Sequence, residues 1–188
     1  MSLRRCQLLA LALVGLSCAG DAWARLPTEK GLPALAANGH LPPGMYLTSY
    51  TAFADQFGST PERAALLARL RPTLRALQKT GVSRIYVGGS FVSDKAAPHD
   101  VDMLVPKQRG VDWEKLVGVA RRVEKKNLHF YGARKIVTDV MKMQMTETQR
   151  NAWTLRKPDF VELFSQTRTG EQVGLAAIEL STVGPAKR

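Results

Sequence analysis

The chain has 188 residues, a formal net charge of +11 and an apolar fraction of 45%, which is ordinary globular composition and enough length for one domain to bury its own core. Its two cysteines, Cys6 and Cys18, lie near the N-terminus, so the rest of the chain has no disulfide framework, no thiolate metal site and no cysteine nucleophile. Most of the positive charge lies beyond residue 60, and a basic surface suits a phosphate-rich partner such as a nucleotide or RNA, or else only aids solubility.

Residues 1–24 read as a secretory signal peptide. Arg4 and Arg5 form a positive start, and Leu8 to Leu16 is an apolar run too short to span a bilayer. Ala22-Trp23-Ala24 fits the small-x-small cleavage pattern. Cleavage after Ala24 would send the chain to the periplasm, with no transmembrane span left in it. A mis-assigned start codon ahead of a cytoplasmic protein is the competing explanation, and a lipoprotein anchor at Cys18 fits its preceding residues poorly.

Residues 25–58 read as an arm. Pro27, Pro33, Pro42, Pro43 and Gly44 predict a chain running extended over the surface rather than forming an element as far as residue 45. A short helix follows over 49–57, with Ser49 or Thr51 as cap and Phe53 and Phe57 on one face. The domain proper is expected over 59–182. Thr60-Pro61-Glu62 is a strong helix start. Leu66, Leu67, Leu70, Leu74 and Leu77 follow at helical spacing, and Gly81 ends the run. Pro72 predicts a kink or a break inside it. Arg63, Arg69, Arg71, Arg75 and Lys79 are expected to face solvent.

The chemistry lies between Val82 and Val105. Ile85-Tyr86-Val87 is a short β-forming run that breaks at Gly88-Gly89-Ser90, and after a polar loop a second apolar run carries Asp100 and Asp102. Strand residues two apart face the same way. The two carboxylates therefore share a face, while Val101, Met103 and Val105 point to the core. Two carboxylates side by side are costly unless a cation or a shared proton neutralises them. A divalent cation with oxygen ligands, Mg2+ above all, is the natural resident. The glycine turn offers bare backbone N–H groups that a phosphate can approach. Lys95, in the loop, is either a phosphate contact or an ordinary loop lysine. His99 reads as a loop histidine.

Gly110-Val111-Asp112 should cap a second helix from Trp113 to about Lys126, with Trp113, Leu116, Val117, Ala120 and Val123 as its apolar face. The basic residues at its C-terminal end complement the helix dipole. Lys135 to Lys142 is a β-branched run with Asp139 in its middle. An aspartate is rare in a strand and needs a reason, either a metal site or an edge position in solvent. Thr146 to about Arg156 reads as a helix. Phe160, Leu163 and Phe164 are expected in the core, and a turn near Gly170 leads to a final strand within Val173 to Leu180.

Val87-Gly88-Gly89-Ser90, a spacer and Asp100-Val101-Asp102-Met103 together resemble the nucleotidyltransferase signature of the DNA polymerase β superfamily. With the segments Asn38 to Gly44, Gly89 to Lys95 and Phe164 to Leu180, the chain over roughly Leu32 to Leu180 resembles a group of small bacterial nucleotidyltransferase-like proteins. Val173-Gly174 stands where the resemblance leads one to expect Lys-Gly.

The resemblance implies an α/β (α+β) fold: a mixed sheet flanked by helices in a single minimal domain. It also implies an enzyme that moves a nucleoside monophosphate from a nucleoside triphosphate to a hydroxyl acceptor on RNA, protein or a small molecule. Asp100, Asp102 and Asp139 would be the catalytic and metal-binding carboxylates, with Asp139 on a neighbouring strand. Gly88, Gly89, Ser90 and Lys95 would bind the nucleotide, and Mg2+ would be the cofactor. Nucleoside triphosphate chemistry favours the cytoplasm, against the apparent signal. So little chain remains beyond the catalytic core that the acceptor must bind the core itself, or a partner protein must supply the missing wall. Two other functions fit: one half of a toxin–antitoxin pair, and a catalytically silent module that binds nucleotide or a partner.

Overall fold

The computed structural model describes residues 29–106, 108–123, 127–132 and 160–184. Over these the chain is a mixed six-stranded sheet with helices. The elements in order are β1 (Glu29–Lys30), β2 (Met45–Thr48), α1 (Tyr50–Phe57), α2 (Pro61–Gln78) and β3 (Arg84–Gly88). A 3-10 turn (Gly89–Val92), β4 (Val101–Val105), α3 (Trp113–Val123), β5 (Leu128–Gly132), α4 (Phe160–Phe164), β6 (Leu175–Glu179) and a last 3-10 turn (Leu180–Thr182) complete the series. The strands lie in the order β1-β2-β6-β3-β4-β5. β3 is antiparallel to both its neighbours, and the other pairs are parallel.

The helices form where the sequence places them. Ser49 caps α1 by accepting from the Ala52 N–H, and Phe53 and Phe57 are buried. Thr60 caps α2 by accepting from the Arg63 N–H at 3.3 Å, and Pro61 opens the helix. Leu66, Leu67, Leu70, Leu74 and Leu77 are all buried, and burial of a leucine side chain contributes about 2 kcal/mol. Asp112 Oδ1 accepts from the Lys115 N–H at the start of α3.

Three expectations change. Of the kink or break expected at Pro72, the break does not occur: α2 is continuous through it. The pyrrolidine ring is on the exposed side of the helix, so what it costs is a hydrogen bond and crowding against one turn, not a break. The expected surface arm enters the sheet: Met45–Thr48 is an interior strand between β1 and β6, and Leu41, Met45 and Tyr46 are buried. Leu163, expected in the core, is 53% exposed, while Val161 of α4 is buried. The expected helix at 146–156 and the strand run at 135–142 lie outside the described residues.

Among the described residues the two faces of the sheet carry apolar clusters of unequal size. Ile85, Val87, Val101, Met103, Val105, Leu128, Phe130, Ala176 and Ile178 pack in one large core with residues of α1, α2 and α3. Tyr86, Leu104, Leu175 and Ala177 form a smaller cluster on the opposite face with Met45 and with Val161 of α4. Among the described residues no helix is long and apolar enough to cross a membrane.

Pro72→Ala restores a backbone donor and relieves ring crowding in an exposed helix interior. We expect it to raise unfolding stability by about 1–3 kcal/mol, measured by chemical denaturation. An unchanged or lower midpoint would show that the ring contributes something the helix needs.

Candidate functional site

The two candidate carboxylates lie on the face that carries the smaller apolar cluster of the described residues. Asp102 alternates with the core-facing Val101 and Met103 along β4, and so shares the face of Leu104. Asp100 stands two residues before it. The neighbouring parallel strand pairs His129 with Asp102. His129 Nδ1 lies 3.5 Å from Asp102 Oδ1 and 3.6 Å from Asp100 Oδ2. One donor atom from each of Asp100, Asp102 and His129 falls within 4.8 Å of the others, so the three could hold a metal ion together. Their side chains are 32%, 16% and 36% exposed respectively, so an ion can reach them from solvent. Two anionic oxygens and an imidazole nitrogen are a fitting donor set for a divalent cation.

The glycine corner faces this cluster. Gly88, at the end of β3, pairs with Asp102. Gly89 has φ +69, and a Cβ there would stand 2.5 Å from Asp102 Oδ2. Only glycine accepts both the left-handed backbone and the approach of the carboxylate. Gly88 has a different reason to be glycine. It is buried, and a Cβ would meet Leu175 Cδ2 at 2.9 Å and Phe164 Cβ at 3.0 Å. Of the expected nucleotide-binding residues, Gly89 and Ser90 are half-buried and Lys95 is exposed. Ser90 accepts at its carbonyl from Ser93 Oγ, and the Lys95 N–H donates to Ser93 Oγ. Asp139 lies outside the described residues.

The loop from the glycine corner to β4 is held from below by Arg63. Expected in solvent, Arg63 is buried. Its guanidinium donates to the carbonyls of Phe57, Phe91, Ser93 and Lys95 over 2.6–3.1 Å, and it lies 5.3 Å from the centroid of the Phe91 ring. Burial pulls its pKa below the usual arginine value, and the nearby Asp94 partly opposes that. The Asn38 to Gly44 segment grips the same loop. The Asp94 N–H donates to the Gly39 carbonyl, and His40 bridges to Ser93. A side chain at Gly39 would collide with the Asp94 carboxylate. Val173, where a lysine was expected, is buried, and the Gly174 N–H donates to the Leu41 carbonyl.

Sequence reasoning did not find His129. Its strand, Leu128–Gly132, went unread between a helix and a more strongly β-branched run. The alternation of Leu128 and Phe130 with His129 was the available signal, joined to the strand–helix–strand order that brings a parallel neighbour beside Asp102. Arg63 carried no signal that set it apart from the other arginines of α2.

Fold and site together define a small α/β domain with a carboxylate–carboxylate–imidazole cluster beside a glycine corner. The chain belongs to a family of unknown function, DUF6932, whose model matches residues 33–179. No curated protein and no solved structure matches it.

Removing Arg63 leaves loop carbonyls without their donor. Arg63→Met should cost on the order of 3 kcal/mol of stability, and Arg63→Lys should recover only part, since an ammonium cannot fork to the same acceptors; denaturant unfolding measures both. Equal stability of the lysine variant and the parent would reject the forked geometry as the cause.

Gly89→Ala tests the carboxylate's approach separately. It should lower calorimetric affinity for divalent cations beyond any effect of the roughly 1–2 kcal/mol backbone strain. Unchanged cation affinity in a folded Gly89→Ala protein would dissociate the glycine from the site.

Proposed function

We propose that the chain is a divalent-cation-dependent nucleotidyltransferase, which transfers a nucleoside monophosphate from a nucleoside triphosphate to a hydroxyl acceptor on RNA, protein or a small molecule. The observation that carries this is the contact of Asp102 with Gly89. It sets one carboxylate of the Asp100–Asp102 pair against the half-buried glycine turn, so that a cation on one side and phosphate oxygens on the other could meet. The chain's charge of +11 also suits a polyanionic substrate.

Asp100 and Asp102 would hold the cation, Mg2+ in the sequence-based expectation. When bound, it neutralises phosphate charge that would otherwise repel the carboxylates. Gly89 and Ser90 would orient the triphosphate through main-chain N–H groups and the Ser90 hydroxyl. The acceptor oxygen forms its bond to the α-phosphorus as the bond to the departing pyrophosphate breaks. The hydroxyl proton goes to a carboxylate; Asp139 would either accept it or help bind a second cation. Lys95 is close enough in sequence, and exposed enough, to contribute charge to the departing phosphates.

The test is incubation of the full chain with each α-labelled nucleoside triphosphate, a divalent cation and whole-cell RNA and protein. Label should move to an acceptor. Asp100→Asn and Asp102→Asn should each reduce transfer about 100-fold or more, the scale expected when a preorganised electrostatic group is lost. Nucleotide binding without transfer to any acceptor would instead make the protein a silent binding module. Transfer that survives both substitutions would remove the carboxylate pair from the chemistry.

A further inference from the structure

We propose that His129 is the third donor of the Asp100–Asp102 cation site, and that its nitrogen turns the site toward Mn2+ and away from Mg2+. This rests on the cation-binding role given to the carboxylates above, and it names the metal class and a ligand that the sequence pattern does not contain.

The geometry begins with the strand pairing. β5 runs parallel to β4, and the register sets His129 beside Asp102. A residue one place earlier or later, Leu128 or Phe130, points into the large core, so His129 is the β5 side chain at this level that reaches the carboxylate face. The same nitrogen, Nδ1, approaches both acids, at 3.5 and 3.6 Å. Those separations are close to the spacing of two donors on a common ion, about 3.0–3.5 Å for bond lengths near 2.1 Å. One imidazole nitrogen thus stands near both carboxylates at once.

The chemistry of the donor set decides the metal. Mg2+ demands oxygen in a near-ideal octahedron and gives up its water reluctantly. Imidazole is a ligand of first-row transition cations rather than of Mg2+, and among those cations Mn2+ is the one that shares the preference of Mg2+ for carboxylate and water oxygens. Mn2+ accepts carboxylate and imidazole together, and remains large enough for water or phosphate oxygens at its other positions. Partial exposure of all three side chains leaves those positions reachable.

The experiment uses the full chain and Mn2+ itself. Loss of the free-ion electron-paramagnetic signal measures binding, competition with Mg2+ measures preference, and pulsed measurement on the bound ion reports directly coordinated 14N. We expect tighter binding of Mn2+ than of Mg2+ and a 14N coupling in the parent protein. His129→Ala should abolish the coupling and reduce the Mn2+ preference several-fold. His129→Asp, which makes the donors all oxygen, should lack the coupling and shift preference toward Mg2+.

Bound Mn2+ without 14N coupling, or an unchanged Mn2+/Mg2+ ratio in His129→Ala, overturns the proposal. If Mg2+-supported transfer is still lost in Asp100→Asn, the catalytic reading stands while this one falls. Failure of the parent protein to bind either cation removes both.

Discussion

A buried guanidinium fixes the loop on which the candidate site depends. Arg63 rises from the first turn of α2 and donates to four carbonyls, of Phe57, Phe91, Ser93 and Lys95. A charge taken out of water is costly unless its donors are satisfied. Here carbonyl dipoles satisfy it, and the Phe91 ring lies beside it. The exchange is mutual, because loop carbonyls turned inward need donors that no ladder supplies. One side chain therefore answers for the path of the chain between the glycine corner and β4. A lysine would bring the charge without the planar fork.

The same loop is gripped from the other side by the segment around Gly39, whose carbonyl takes the Asp94 N–H. That segment then leads through Leu41 and Gly44 to β6, since the Gly174 and Leu175 N–H groups donate to their carbonyls. Residues far apart in the chain thus form one frame around β3 and β4. The frame gives Asn38 to Gly44 and the stretch near Gly174 a structural role beside the Gly89-Ser90 and Asp100-Val101-Asp102 elements. They position the loop and the strand next to the site, and nothing in their geometry requires them to touch a ligand.

How much of this is legible in the sequence depends on the physical signal each part carries. The leucine spacing and Thr60-Pro61 cap declare α2, because helix period and capping are local. The alternation Val101, Asp102, Met103 declares which way the carboxylates face, because strand alternation is local too. β2 is four residues between a Pro-Pro-Gly turn and a helix cap, too short for a periodic signal, and exists through its pairing with β6. β5 is likewise made by its partner. Arg63 looks like Arg69 or Arg75 until α2 is packed against a loop that comes about thirty residues later. Leu163 shows the converse failure: apolar character predicted burial, but α4 is one short helix, and it buries Val161 instead.

The unequal apolar clusters that the described residues form on the two faces then bear on where polar chemistry can sit. One face is closed by α1, α2 and α3 over a continuous apolar cluster, and an ionised carboxylate there would lose its hydration without return. The opposite face carries a smaller apolar cluster beneath α4, and toward β4 and β5 it passes to Asp100, Asp102 and His129, which remain partly in water. Carboxylates in that setting keep contact with water while their oxygens lie near one another. Gly89 makes the crowding tolerable for Asp102 by offering no side chain, but it does nothing to neutralise the pair. On the proposed reading a cation would do so, and the excess positive charge of the chain, +11, would favour a polyphosphate beside it, so that metal and anionic substrate would share the corner without competing for the same groups.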